Sequence, residues 1–155
     1  GHARRYQDDV RVALDPPREP EAAPAVEAKE NYRIAILEVQ RHAQAIEREG
    51  ERTVEKALRA LESRFEACLD LAAGDRVNRV SDSAEFVAVL MGDAGGARLD
   101  ALRAVVADEP ARSRLSVLVG CAVSERADEP LGAVFLRAEA ELSRCKDEAG
   151  AAPAS

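Results

Sequence analysis

The stretch ENYRIAILEVQRHAQAIEREGERTVEKALRALESRFEACLDLAA, residues 30–73, contains no proline and a single glycine, Gly50. Tyr32, Ile36, Val39, Ala43 and Ile46 follow at intervals of 4, 3, 4 and 3. Beyond Gly50 the rhythm resumes in Val54, Leu58, Leu61, Phe65, Cys68 and Ala72. Such spacing is a heptad stripe, with Ile36 and Ala43 at a and Val39 and Ile46 at d. It predicts one helix over residues 29–73, roughly 65 Å long at 1.5 Å per residue. A helix of that length outruns a small domain, so the half bearing Tyr32, Ile36, Val39, Ala43 and Ile46 is expected to form a self-association interface.

The middle of the stripe is its weakest part. Glu47 with Glu51, Arg48 with Arg52 and Glu51 with Glu55 are like-signed pairs four residues apart, which disfavour an isolated helix. Gly50 costs about 1 kcal/mol relative to alanine inside a helix. A break there, giving an antiparallel hairpin, is the rival reading. No proline follows Gly50, and Thr53 is a poor start signal without Glu or Gln three residues on. Continuity is therefore the favoured expectation.

Outward from this stretch, residues 1–14 read as a short tethered segment and 15–28 as an extended Pro/Glu/Ala linker. Gly1-His2 resembles a cloning scar, and the missing start methionine suggests a piece of a longer protein. After the Ala73-Gly74-Asp75 stop, residues 81–147 read as a bundle of about four shorter helices. The first opens at Ser81-Asp82-Ser83 and carries Phe86, Val87, Val89 and Leu90. The next spans Ala97 to Ala107. The third runs from Pro110 to Arg126 around the apolar Leu115-Ser116-Val117-Leu118-Val119-Gly120-Cys121, and the last spans Pro130 to Lys146. Gly120 would let a neighbouring backbone come close. Leu61, Phe65, Phe86, Leu102, Leu115, Leu118, Val119, Phe135 and Leu142 are the expected bundle core. Residues 148–155 read as a disordered tail. The tetrapeptide Ala-Asp-Glu-Pro occurs at 107–110 and again at 127–130, and reads each time as a helix start, with acid at the positive end of the dipole and proline in the first turn.

The fold class expected is therefore all-α. Composition agrees: 46% of the 155 residues are hydrophobic but only 3% aromatic, with no tryptophan and one methionine, so a core of small side chains is required. A net charge of −7 and the absence of a Lys/Arg cluster argue against nucleic acid. Cys68, Cys121 and Cys145 are odd in number and lack metal-ligand spacing, which suggests buried, reduced thiols and an intracellular, cytoplasmic setting.

No chemistry stands out. His42 is the only histidine apart from His2 and sits at the edge of the stripe. Gly92 to Gly96 is glycine-rich but lacks Gly-Lys-Ser/Thr, so it reads as a turn between helices. Every acidic pair visible in the sequence lies on a charged face. No catalytic residue, metal site or cofactor is expected. The function that follows is a non-enzymatic interaction module for oligomerisation and scaffolding, a homodimer or larger homo-oligomer with an unidentified protein partner. The alternative is an amphipathic protein coating lipid or another apolar particle, with the acidic balance counting against membranes.

Overall fold

The structure, a computed structural model, describes residues 30–151. The expected segments 1–14 and 15–28 lie outside the described residues, as does the end of the expected tail. The chain is not all-α. It builds strand β1 (Tyr32–Val39), helices α1 (His42–Glu49) and α2 (Glu51–Ala67), a 3-10 turn at Leu71–Ala73, and strands β2 (Arg76–Arg79) and β3 (Glu85–Met91). Helix α3 (Gly95–Ser113), strand β4 (Val117–Val123) and helix α4 (Leu131–Ala151) follow.

The strands form one sheet in the order β2-β3-β1-β4, each neighbouring pair antiparallel. Strands β1 and β2 are therefore parallel to each other and joined by the α1–α2 crossover, while β3 and β4 are parallel and joined by α3. This is the split βαβ arrangement of ferredoxin-like folds, with α4 added after β4.

The long heptad helix is replaced by a strand, a glycine break and two helices. Ile34, Ala35, Ile36 and Leu37 are all fully buried. A central strand covered on both faces carries no alternation, only an apolar run. Tyr32, Ile34 and Ile36 point to the α4 side, and Ala35, Leu37 and Val39 to the α2/α3 side. The intervals 4 and 3 that resembled a helix stripe thus mix both faces of a strand. Tyr32, Ile36 and Val39 lie in the interior, Ala43 is exposed, and Ile46 packs partly against the core. No continuous seam joins the five residues expected to self-associate. Gly50 does break the helix, with φ 94 and ψ 148, so continuity fails there.

The expected helices around Phe86 and around Leu118 are strands β3 and β4. Both are short apolar runs that periodicity alone cannot assign. The expected helices over Ala97 to Ala107 and Pro130 to Lys146 are present and longer: α3 runs past Ala107 to Ser113, and α4 runs past Lys146 to Ala151, taking in residues expected to be tail.

Two apolar layers flank the sheet. On one side Val54, Leu58, Leu61 and Phe65 of α2 and Leu99 and Leu102 of α3 meet Leu37, Phe86, Leu115 and Val119. Phe65 and Phe86 pack edge to face, with ring centroids 5.3 Å apart. On the other side Val134, Phe135, Ala138 and Leu142 of α4 cover Tyr32, Ile34, Ile36 and Val87, with Leu118 partly buried against them. The residues expected to form one bundle core are thus divided between two layers. Gly120 admits a neighbouring backbone, that of α4: a side chain there would meet Leu142 N at 2.5 Å and Ala138 O at 2.6 Å.

Candidate functional site

The site lies where β1 ends and β3 begins, beneath the stretch of α4 from Leu136 to Lys146. Glu38 and Glu85 are cross-strand partners, and Leu118 faces Glu38 from β4. Both carboxylates project to the α4 side, because they continue the alternation of Tyr32, Ile34 and Ile36 on β1 and of Val87 and Val89 on β3. Glu38 is part-exposed, whereas Glu85 is buried. The Lys146 ammonium lies 2.6 Å from Glu38 Oε1. Gln40 Nε2 donates to the Glu38 carbonyl at 3.0 Å and to its carboxylate at 3.3 Å.

Glu38, Glu85 and Lys146 line an open cleft of about 520 Å3, together with Leu136, Glu139, Ala140, Leu142 and Ser143. Residues 136, 139, 140, 143 and 146 recur at helical intervals of three and four, so α4 presents them as one stripe. Burial pushes the Glu139 carboxyl above its ordinary range, and the positive charge of Lys146 pulls the other way.

The remainder of α4 is anchored so that this stripe is held over the sheet. Arg137 clamps Glu129 with hydrogen bonds of 2.5 and 3.1 Å and donates to the Val123 carbonyl at 2.8 Å. The Tyr32 hydroxyl donates to the Glu129 carbonyl, and the Ser124 hydroxyl accepts from Tyr32 N at 2.9 Å. The Arg137 hydrogen bond, aided by the Glu125 N–H, lowers the Glu129 carboxyl to about 2. Close packing at Gly120 fixes the height of the helix above β4.

Chemically the cleft offers two carboxylates on adjacent strands, one lysine and an apolar rim. A divalent cation of the kind that accompanies nucleotides is held by one or two carboxylates plus the substrate's own phosphates. Glu38 and Glu85 fit that limited role. Among the described residues no group of three His, Cys, Asp or Glu is placed to hold a metal ion by itself.

The sequence pointed to none of the charged residues of the cleft, and to Leu142 only as core. The expectation that all acidic pairs lie on charged faces is corrected by Glu38 and Glu85, which share a face with Ile34, Ile36 and Val87. The available signal was a lone glutamate ending each of two apolar runs, and only strand register brings them together. His42 lies at the start of α1, part-exposed and away from the cleft. The turn at Gly92–Gly96 is overlaid by Arg33, whose guanidinium donates to the Gly92 carbonyl at 3.2 Å. Cys68, Cys121 and Cys145 are free thiols. No described helix is long and apolar enough to cross a membrane.

No protein-family model and no curated protein sequence matches the chain. Solved structures do. The GGDEF domain of DgcB from Caulobacter crescentus, in complex with c-di-GMP, matches with a TM-score of 0.67 at 18% identity, over 83% of this chain and 80% of that one. A microbial GGDEF domain studied with cyclic di-GMP matches with a TM-score of 0.68 at 21% identity, over 84% and 82%. The complex of the diguanylate cyclase SiaD with its activator SiaC from Pseudomonas aeruginosa matches with a TM-score of 0.64 at 20% identity. There the match spans 82% of this chain but only 50% of the other.

At these identities the likeness defines the fold, that of GGDEF domains. It overturns the reading of a non-enzymatic scaffold, and with it the expectation that the chain is no enzyme. That reading stood on an all-α coiled coil, and the fold is instead one found in diguanylate cyclases. The surface-coating alternative falls with it, since the faces it needed are buried in the two layers. Read as residues, the letters of the domain name do not occur together here. The one Gly-Gly pair is Gly95-Gly96, while Glu85-Phe86 opens β3 behind Asp82-Ser83-Ala84.

Proposed function

We propose that this chain is a guanine-nucleotide domain of the diguanylate cyclase type, working through the cleft between α4 and the Glu38/Glu85 end of the sheet. The observation that carries the reading is the pairing of Glu38 with Glu85 in register, with Lys146 2.6 Å from Glu38, on this fold. Lys146 is a mobile point charge suited to a phosphate. In the free protein it is neutralised by Glu38, and an arriving phosphate would compete for it. Glu38 and Glu85 are the residues that would hold a magnesium ion carried in on the nucleotide, which when bound supplies positive charge to the phosphates.

The reaction joins two GTP molecules. The 3′-hydroxyl oxygen of each attacks the α-phosphorus of the other, two new phosphodiester bonds form, and two pyrophosphates leave as the hydroxyl protons pass to base. The product is two-fold symmetric, so two such domains facing one another match its symmetry. This supports a homodimer as the working form and a cytoplasmic setting, where the substrate and reduced thiols are found.

The test is calorimetric titration of GTP and of cyclic di-GMP, with magnesium present, followed by chromatography of the products. Binding of either nucleotide, weakened roughly tenfold or more by Lys146→Met, is the expected result. No binding of either at millimolar concentration overturns the reading. Binding without any cyclic dinucleotide formed overturns its catalytic half.

A further inference from the structure

We propose that residues 15–28 of this chain dock in the groove between α2 and the end of α3, held by their carboxylates on Lys56, Arg112 and Arg114. The groove lies on the face of the sheet opposite the cleft, so this docking is independent of the nucleotide reading.

The two helices do not close on each other there. Thr53, Ala57 and Ala60 recur at helical intervals along α2, and side chains this small leave an open groove of about 400 Å3 between α2 and the turn Ser113-Arg114-Leu115. Leu115 is buried beneath it, Ala57 is half-buried and Ala60 is exposed. The floor is thus apolar surface left in water, which an incoming segment can cover.

The rim is cationic. Lys56, Arg112 and Arg114 stand along it, all three exposed. Lys56 makes no ion pair among the described residues. Arg112 reaches Asp108 at 2.7 Å and Arg114 reaches Glu49 at 3.0 Å, in each case with the arginine in solvent. Pairs of this kind contribute little, so a further carboxylate can join or displace them. Glu109, the other acid of the lining, is buried and committed to Arg64 and to the Ser113 hydroxyl. Arg114 closes α3 with φ 67, a left-handed conformation in which glycine is the unstrained residue. An arginine in that place puts a guanidinium at the mouth of the groove.

Charge and reach select the occupant. Residues 15–28 read DPPREPEAAPAVEA, four acids against one arginine, with proline and alanine between them. They lead to Glu30, beside the turn into α3, where Gly92 N donates to the Asn31 carbonyl at 2.8 Å. From that turn the groove lies along α3, level with Glu109 after about 21 Å and with Arg114 after about 28 Å of helix axis. A proline-rich chain extends by about 3.1 Å per residue. Counted back from Glu30, it comes level with Glu109 after about seven residues and with Arg114 after about nine. Ala22 and Ala23 then lie on the apolar floor, with Glu21 and Glu19 among the three cations.

The experiment is carbodiimide coupling on the whole chain, which joins a carboxylate to an amine where the two are in contact, followed by digestion and mass spectrometry. The expected product is an amide between Lys56 and an acid of residues 15–28, Glu19 or Glu21 foremost, within one chain. Its yield should fall several-fold at high salt, which screens the exposed charges, and in Arg112→Glu combined with Arg114→Glu. Coupling of Lys56 only to carboxylates of the described residues overturns the docking. A link to residues 15–28 confined to a cross-linked dimer also overturns it, and gives the groove to the segment of a second copy. A second pair of substitutions leaves the folded residues untouched: Glu19→Lys with Glu21→Lys should shift the amide resonances of Ala57, Ala60 and Ser113 while those of α4 stay in place. Resonances unchanged at Ala57 and Ala60 would overturn the proposal by themselves.

Discussion

The two faces of the sheet are built for different purposes. Against the α2/α3 face lie Leu58, Leu61, Phe65, Phe86 and Leu102, all with no exposure, in one continuous apolar layer. Its polar attachments sit at the margins. Asp75 is fully buried and accepts from Asp70 N and Met91 N at 2.9 Å each and from the Arg98 guanidinium, while Arg64 holds the buried Glu109. The α4 face begins in the same way, with Ile34, Ile36, Val134 and Phe135, but its apolar layer stops at Leu142 and gives way to Glu38, Glu85 and Lys146. One face spends its area on stability, while the other withholds part of that area and leaves a charged cleft. The contrast teaches that a site can be made on a small sheet by ending one layer early, provided the opposite layer is complete.

The largest effect expected from breaking this contrast is on the complete layer. Phe65→Ala removes a fully buried ring that packs against Phe86, and should cost about 3–5 kcal/mol in chemical denaturation. A loss below about 1 kcal/mol would mean that this layer is not the seat of stability.

Gly120→Val attacks the other face. The added carbons meet the backbone of α4 at Leu142 and Ala138, so the helix must move away from β4. Overpacking of this kind costs about 1–3 kcal/mol. Hydrogen exchange should rise along α4 while α2 and α3 remain protected. Equal loosening of all the helices would show that the two layers unfold as one unit.

The smallest effect is a dependence on acidity. The Glu129 carboxyl is lowered from 4.5 to about 2 by the Arg137 hydrogen bond. A carboxyl depressed in the folded state adds stability above its ordinary value, and that stability is lost as pH falls from about 4.5 towards 2. Glu129→Gln should flatten this part of the pH–stability curve. The Glu55 carboxyl, held at about 2 by Arg79 first of all, bonds β2 to α2 and will contribute a slope of the same sign. A Glu129→Gln protein with the wild-type slope between pH 4.5 and 2 would assign the dependence to Glu55 and others on the complete face.

Much of the helical layer was determined by sequence alone. The stripe Val54, Leu58, Leu61, Phe65 is a true helix face, because a surface helix must repeat its apolar residues at its own period. The last two helices were legible for the same reason, as was the small-residue contact at Gly120. The strands were not, since Ile34 to Leu37, Phe86 to Leu90 and Val117 to Val123 are apolar runs with no polar residue at alternate positions to reveal a period of two. Ala-Asp-Glu-Pro shows the limit of local rules. At 127–130 it does lead into α4, whereas at 107–110 it lies inside α3, with Pro110 three residues before the helix end. In both copies the glutamate is buried against an arginine, Arg137 in one and Arg64 in the other. Those partners lie 8 and 45 residues away, and no local signal announces them. The cleft is the extreme case. Glu38, Glu85, Glu139 and Lys146 are each ordinary residues in sequence, and strand register together with the docking of α4 decides that they meet, because a site made of charges from three elements exists only where packing brings those elements together.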